Sequence, residues 1–197
     1  QEVDPLYNRN EIPHIAIVGK PNSGKSTLIN ALAENEVAMV SEIPGTTRDT
    51  VNLSIVNDSK NYLFIDTAGL RRKSKVNEDI EYYSTSRAVG SIERCDIVIL
   101  MIDAQHGPTK QDLKIASLIK KNNKGIIIAV NKSDLIPQKL KNEAMIKKSL
   151  FEMLTEINYA LVVVISALKA KNIQKIYDLI DNIYESQKSK INTNNLN

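Results

Sequence analysis

Apolar residues come in short unbroken runs along this chain, separated by longer amphipathic stretches. The runs Ile15–Val18, Val51–Val56, Tyr62–Ile65, Ile97–Ile102, Ile126–Val130 and Leu161–Ile165 have strand length, and most are rich in β-branched residues. Four of them are continuously apolar, as strands covered on both faces are. The stretches Ser26–Ala33, Ile80–Ser91, Gln111–Lys120, Glu143–Glu156 and Ile173–Glu185 space their apolar residues as helices do. This alternation predicts an α/β fold, a doubly wound and mostly parallel six-stranded sheet. One strand departs from it. Only Asn57–Asn61 separates Val51–Val56 from Tyr62–Ile65, too short for a crossover helix, so these two pair as an antiparallel hairpin.

The pattern stops at both ends. Residues 1–12 carry Pro5 and several Asn, and residues 187–197 are polar, rich in Lys and Asn. Both read as linkers around one domain at 13–186, cut from a larger protein. With 197 residues and 42% hydrophobic content, one packed core is the expectation. The net charge of +3 permits an RNA-rich partner without demanding one. The lone Cys95 excludes an internal disulfide, and it precedes an apolar strand as a small core residue would. His14 and His106 stand too far apart to suggest a zinc site. No run approaches membrane-spanning length and no signal peptide opens the chain, so a cytoplasmic, monomeric domain without a membrane partner is expected.

Chemistry enters at Gly19-Lys20-Pro21-Asn22-Ser23-Gly24-Lys25-Ser26. This stretch fits G-x-x-x-x-G-K-[ST] and sits between a buried strand and the helix opening at Thr27. A strand feeding a glycine loop that opens a helix aims several backbone N–H groups at one point, an anion site for a polyphosphate. Gly19, Ser23, Gly24 and Thr27 form its cradle, Lys25 reaches the β/γ-phosphates, and the Ser26 hydroxyl ligates Mg²⁺.

Three further clusters fall at strand ends or beside them. Asp66 in Asp66-Thr67-Ala68-Gly69 closes a buried strand, which suits holding Mg²⁺ through water. Gly69 can bring its N–H close to a γ-phosphate. In Pro44-Gly45-Thr46-Thr47-Arg48-Asp49, a threonine can ligate Mg²⁺ only when that phosphate is present. Thr47 is the first candidate and Thr46 the second, and a plain turn cluster is the alternative. Asn131-Lys132-Ser133-Asp134 suits a purine site. A carboxylate at Asp134 can accept from guanine N1–H and the 2-amino group together, and adenine leaves it unpaired. Asn131 holds the loop and touches the base, and the Lys132 stem covers its face. Ser166-Ala167-Leu168 offers the Ala167 N–H to the guanine carbonyl.

Taken with Leu70-Arg71-Arg72-Lys73-Ser74-Lys75 and Glu81-Tyr82-Tyr83-Ser84, these motifs resemble the translation-factor-related GTPases. Within that class they resemble the second G domain of the tandem-G-domain ribosome-assembly GTPases, the EngA/Der family. The resemblance covers Ile12 to Glu185. It implies a GTPase of slow intrinsic turnover, with GTP/GDP and Mg²⁺ as ligands and the large ribosomal subunit or its rRNA as partner of the full-length protein. Lys25, Thr47, Gly69 and Asn22 are then the catalytic set. Many GTPases carry a water-orienting glutamine where this chain has Leu70. Some that resemble it place K⁺ against the phosphates, partly on the loop asparagine, here Asn22; a loop-shaping role is the alternative. Two residues depart from the family pattern: Ser133 replaces a bulky residue, and Lys171 replaces a glycine. The rival reading is a nucleotide-gated binding module, with Arg71–Lys75 presented to RNA in one state only. A third reading, an ATPase of the same fold, is disfavoured by the purine motif.

Overall fold

Every residue of the strand Ile97–Asp103 is buried, and its side chains divide alternately between two cores. Ile97, Ile99 and Met101 join one cluster, and Val98, Leu100 and Ile102 join the other. A strand has period two, so a run apolar at every position needs cover on both faces. The computed structural model describes residues 11–34, 39–44, 51–67, 70, 88–137 and 142–194, and it supplies that cover.

Among the described residues seven strands form one sheet: β1 (His14–Val18), β2 (Met39–Pro44), β3 (Val51–Asn57), β4 (Lys60–Phe64), β5 (Ile97–Asp103), β6 (Gly125–Asn131) and β7 (Leu161–Val164). Their order is β2-β3-β4-β1-β5-β6-β7. β3 runs antiparallel to both its neighbours, and all other pairings are parallel, so it alone points the other way. The six expected strands are present, and β2 extends the sheet beyond them. The apolar runs of the sequence include none over residues 39–44.

α1 (Lys25–Ala33) and α4 (Gln174–Asn194) cover one face through Leu28, Ile29 and Leu32 and through Ile176, Tyr177 and Ile180. The other face is covered by the helical residues 88–94, α2 (Lys110–Lys121) and α3 (Glu143–Met153). The chain leaves β1 toward β4 on one side and returns to β5 on the other. The carboxyl end of β1 is therefore the switch point where such folds open a crevice.

Two boundaries differ from expectation. The stretch 143–156 divides into α3 and a 3₁₀ turn at Thr155–Ile157. α4 runs past Glu185, where the expected helix ends, to Asn194. Its extra turns are anchored: the Gln187 amide donates to the Asp96 carbonyl at 3.3 Å, and the Lys188 ammonium lies 4.5 Å from the centre of the Tyr184 ring. Among the described residues no helix is long and apolar enough to cross a membrane.

Candidate functional site

β1 runs straight into the glycine loop. At Gly19 φ is +145°, and a side chain there would meet the Met101 carbonyl oxygen at 2.6 Å. Gly24 caps α1 with φ +98°, and a Cβ on it would run into the Asn131 amide. Only glycine lets the loop sit this close to β5 and to the turn after β6. α1 then opens with no side-chain cap and no acidic residue in its first turn. Its first N–H groups and its positive end stay uncompensated, which is what an anion needs. Ser26 and Thr27 are exposed there. Asn22 is also exposed, with φ +61°, a left-handed conformation that asparagine tolerates. Its side chain makes no hydrogen bond among the described residues.

The Lys25 ammonium folds back over the loop, donating to the carbonyls of Gly19 (2.9 Å) and Lys20 (2.8 Å). Burial pulls its pKa down to about 8, and the Asp112 carboxylate partly opposes that. Asp112 is fully buried and closes a capping box with Thr109 at the start of α2.

Asp66 follows β4 with φ +56°, and its N–H donates to Asn52 Oδ1 at 3.1 Å. Its Oδ2 accepts from Ser91 Oγ and from Arg94 Nη2, both at 2.5 Å. Its Oδ1 is buried and has no hydrogen-bond partner among the described residues. Leu70 donates its N–H to the Thr67 carbonyl at 2.9 Å, and its side chain packs against the core beneath α1. It is used in packing and can orient no water.

The turns after β6 and β7 meet at Asn131, which is buried. Its Nδ2 donates to the Ser23 carbonyl (2.9 Å), and its Oδ1 accepts from the Ala167 N–H (2.9 Å). One side chain thus ties the phosphate loop to both turns. An amide carries two N–H donors, so a second remains for a ligand. The Ala167 N–H is held by Asn131 here and would have to exchange or share that bond to reach a base carbonyl. Asp134 Oδ1 accepts from Ser166 Oγ at 2.6 Å. Lys132, at φ +66°, sets its ammonium 2.7 Å from Asp103 Oδ2. Burial alone would raise the Asp103 carboxyl; Lys132, the Gln105 N–H and His106 outweigh it and hold it below the usual range. Lys171, in place of a glycine, pairs with Ser166 through both backbone groups (3.2 and 2.9 Å) and closes the last turn. Leu168 at its tip is 74% exposed.

Four strand ends therefore present a phosphate loop, a carboxylate and a paired purine-type turn along one edge of a doubly wound sheet. The sequence pattern of the family described as 50S ribosome-binding GTPase matches residues 14–132, more than half of the chain. The chain belongs to that family. It is 49% identical over 185 residues to the GTPase Der of Agathobacter rectalis, covering 94% of this chain and 42% of that one. It is 45% identical over 196 residues to the GTPase Der of Caldanaerobacter subterraneus, covering 100% of this chain and 44% of that one. The chain thus spans less than half the length of these relatives. Among solved structures it is similar to Era in complex with MgGDPNP and a segment of 16S ribosomal RNA. That match has a TM-score of 0.65 at 34% identity, covering 86% of this chain and 56% of the other. The probable GTP-binding protein EngB shares the fold, with a TM-score of 0.59 at 23% identity, covering 88% and 99%. The resemblance carried by the motifs is thereby upheld, and the match is to one G domain of the Der GTPases.

Within this GTPase domain Gly19, Asn22, Ser23, Gly24, Lys25, Ser26 and Thr27 follow β1 in the loop and the opening of α1, Asp66 follows β4, Asn131, Lys132 and Asp134 end or follow β6, and Ser166, Ala167 and Leu168 follow β7. Thr46, Thr47, Gly69, Arg71–Lys75 and Glu81–Ser84 lie outside the described residues. Sequence reasoning missed Ser91, Arg94, Asp103 and Asp112 as site neighbours. Asp103 carried a usable signal, since like Asp66 it is a carboxylate at the carboxyl end of a buried strand. Cys95 is a core residue whose thiol burial pushes up to about 12.

The lowered Lys25 pKa gives a proton-linked expectation. A phosphate beside the amine favours the ammonium, so binding raises this pKa. Affinity is then full below about 8 and falls as the pH rises beyond it, with net proton uptake on binding. Calorimetry at pH 8.5 in buffers of different ionisation enthalpy measures that uptake; proton release on binding would contradict it.

Proposed function

We propose that this domain binds GTP and GDP, hydrolyses GTP slowly, and uses its nucleotide state to gate docking of the full-length protein to a large ribosomal subunit precursor. The carrying observation is the Asn131 side chain, which ties the phosphate loop to both purine turns, so phosphate and base are read by one rigid unit. The likeness to the Der GTPases and membership of the 50S ribosome-binding GTPase family support the GTPase and ribosome parts.

Catalysis in such a site is positioning plus charge stabilisation around an attacking water. The loop N–H groups and the opening of α1 hold the phosphates. The Lys25 ammonium releases the Gly19 and Lys20 carbonyls and turns to the β/γ-phosphates, where it offsets developing negative charge. The exposed Ser26 hydroxyl and the buried Asp66 Oδ1 would hold Mg²⁺, with Thr47, or Thr46, as a further ligand, and the ion would supply positive charge against the phosphates. Asp134 reads N1–H and the 2-amino group of guanine. The packed Leu70 favours slow turnover, and with it the switch reading, in which hydrolysis resets the docked state. Turnover measured with and without ribosomal particles tests this. Acceleration by the large-subunit precursor supports the gate, whereas fast turnover of the isolated domain, indifferent to particles, removes it. Competition between ATP and GTP for the site decides against or for the ATPase reading.

K⁺ is expected to stimulate hydrolysis above the rate in Na⁺ at equal ionic strength, because Asn22 is exposed on the loop and its side chain makes no hydrogen bond among the described residues. The gain should fall far below the roughly 10³–10⁵ of an arginine finger, since an ion exchanges with solvent. Asn22→Ala should bring the K⁺ rate down to the Na⁺ rate while sparing GDP affinity. Equal wild-type rates in the two salts would return Asn22 to loop shaping.

A further inference from the structure

The structure assigns Ser91 and Arg94 as positioning residues for divalent-cation binding at Asp66, a role that rests on the nucleotide-site reading above. Both donors converge on one oxygen. Ser91 Oγ and Arg94 Nη2 each lie 2.5 Å from Asp66 Oδ2, while Oδ1 is buried and without a partner among the described residues. A buried carboxylate oxygen left bare is costly, and natural proteins rarely leave one so. A cation or its water supplies what Oδ1 lacks. The clamp is itself held in place: Arg94 Nε donates to the Gly90 carbonyl at 3.0 Å, so the guanidinium reaches Asp66 as a fixed fork. From the other side, Asn52 Oδ1 accepts from the Asp66 N–H and pins its left-handed backbone. Asp66 is thus fixed at two points on one carboxylate oxygen and at one on its backbone, with Oδ1 unpartnered among the described residues, as groups behind a metal ligand fix its orientation.

The opposite sign is physically available, since Arg94 could compete with the cation for the carboxylate. The geometry favours support over competition. Both donors share Oδ2, and a competitor would take the bare oxygen as well.

The test uses wild type, Ser91→Ala, Arg94→Ala and Arg94→Lys, each loaded with a fluorescent GDP analogue. Nucleotide release is followed as free Mg²⁺ is varied. Loss of a group that orients a metal ligand costs roughly 10–100-fold in metal affinity. Ser91→Ala and Arg94→Ala should therefore need about tenfold or more Mg²⁺ to slow release, with Arg94→Lys recovering part of the loss. In excess EDTA all four proteins should release the analogue at one rate. An unchanged Mg²⁺ midpoint in Ser91→Ala, which removes only a hydroxyl and keeps the helix, would overturn the proposal. So would a midpoint moved to lower Mg²⁺, which marks Arg94 as a competitor. A wild type whose release ignores Mg²⁺ would instead refute the nucleotide-site reading itself.

Discussion

Asp134→Asn is expected to lower GTP affinity on the order of 10⁴-fold and to confer binding of xanthosine nucleotides. Sites built on ligand hydrogen bonds lose about that much when the bonds go unmade. In the proposed guanine site the Asp134 carboxylate would accept from two guanine donors. An amide in its place aims an N–H at one of them, and that contact turns repulsive while the amide oxygen can still accept at the other. Xanthine carries a carbonyl where guanine carries the 2-amino group, so the amide donor finds an acceptor again. The loop should survive the change, because an asparagine oxygen can still accept from Ser166 Oγ, now 2.6 Å from Asp134 Oδ1. Titration with both nucleotides checks this. Unchanged GTP affinity would remove the guanine assignment from Asp134.

Lys25→Ala should cut GTP hydrolysis by roughly 10²–10³-fold, the usual loss on removing one pre-aimed donor from a transition state. Its effect on stability should have the opposite sign or vanish. The folded pKa of Lys25 is lowered from 10.5 to about 8 by burial, so the folded protein holds the ammonium less favourably than the unfolded chain does. Stability therefore rises with pH between about 8 and 10.5 in the wild type, and near neutrality the charged lysine is a burden on the nucleotide-free fold. The variant should melt no lower than wild type at pH 7 without nucleotide, and should lose the pH-dependent rise. A desolvated cation kept for its proposed role at the phosphates would show this stability–activity conflict. A clear drop in melting temperature would show that Lys25 serves the fold through its bonds to Gly19 and Lys20.

The strand–helix alternation, the hairpin of β3 and β4, and the placing of the phosphate loop, Asp66, Asn131–Asp134 and Ser166–Leu168 at or just after strand carboxyl ends were readable from the chain alone. Those features follow from local periodicity: a strand buried on both faces must be apolar throughout, and a five-residue gap cannot hold a crossover helix. The motif residues were legible for the same reason, since each cluster lies within a few positions of a strand end. β2 was not legible, because an edge strand exists by pairing with β3, and its own residues 39–44 carry a weak pattern ending at Pro44. The last turns of α4 were missed for a similar reason, as they are held by Asp96, far away in the chain.

What only the tertiary structure decided is how the motif residues are held. Asn131 meets Ser23 and Ala167, Lys132 meets Asp103, and Asp66 meets Ser91 and Arg94, all between residues 25 or more positions apart. Periodicity says which face a residue occupies and is silent on which strand lies beside it. That is set by the strand order, β1 lying between β4 and β5, with the return helix bringing Arg94 back beneath Asp66. The sequence by itself determined the chemistry available at this edge of the sheet. The packing of distant elements determined which oxygen of Asp66 is bound and which is bare, because a hydrogen bond needs its partner within about 3 Å and only the folded chain brings one there.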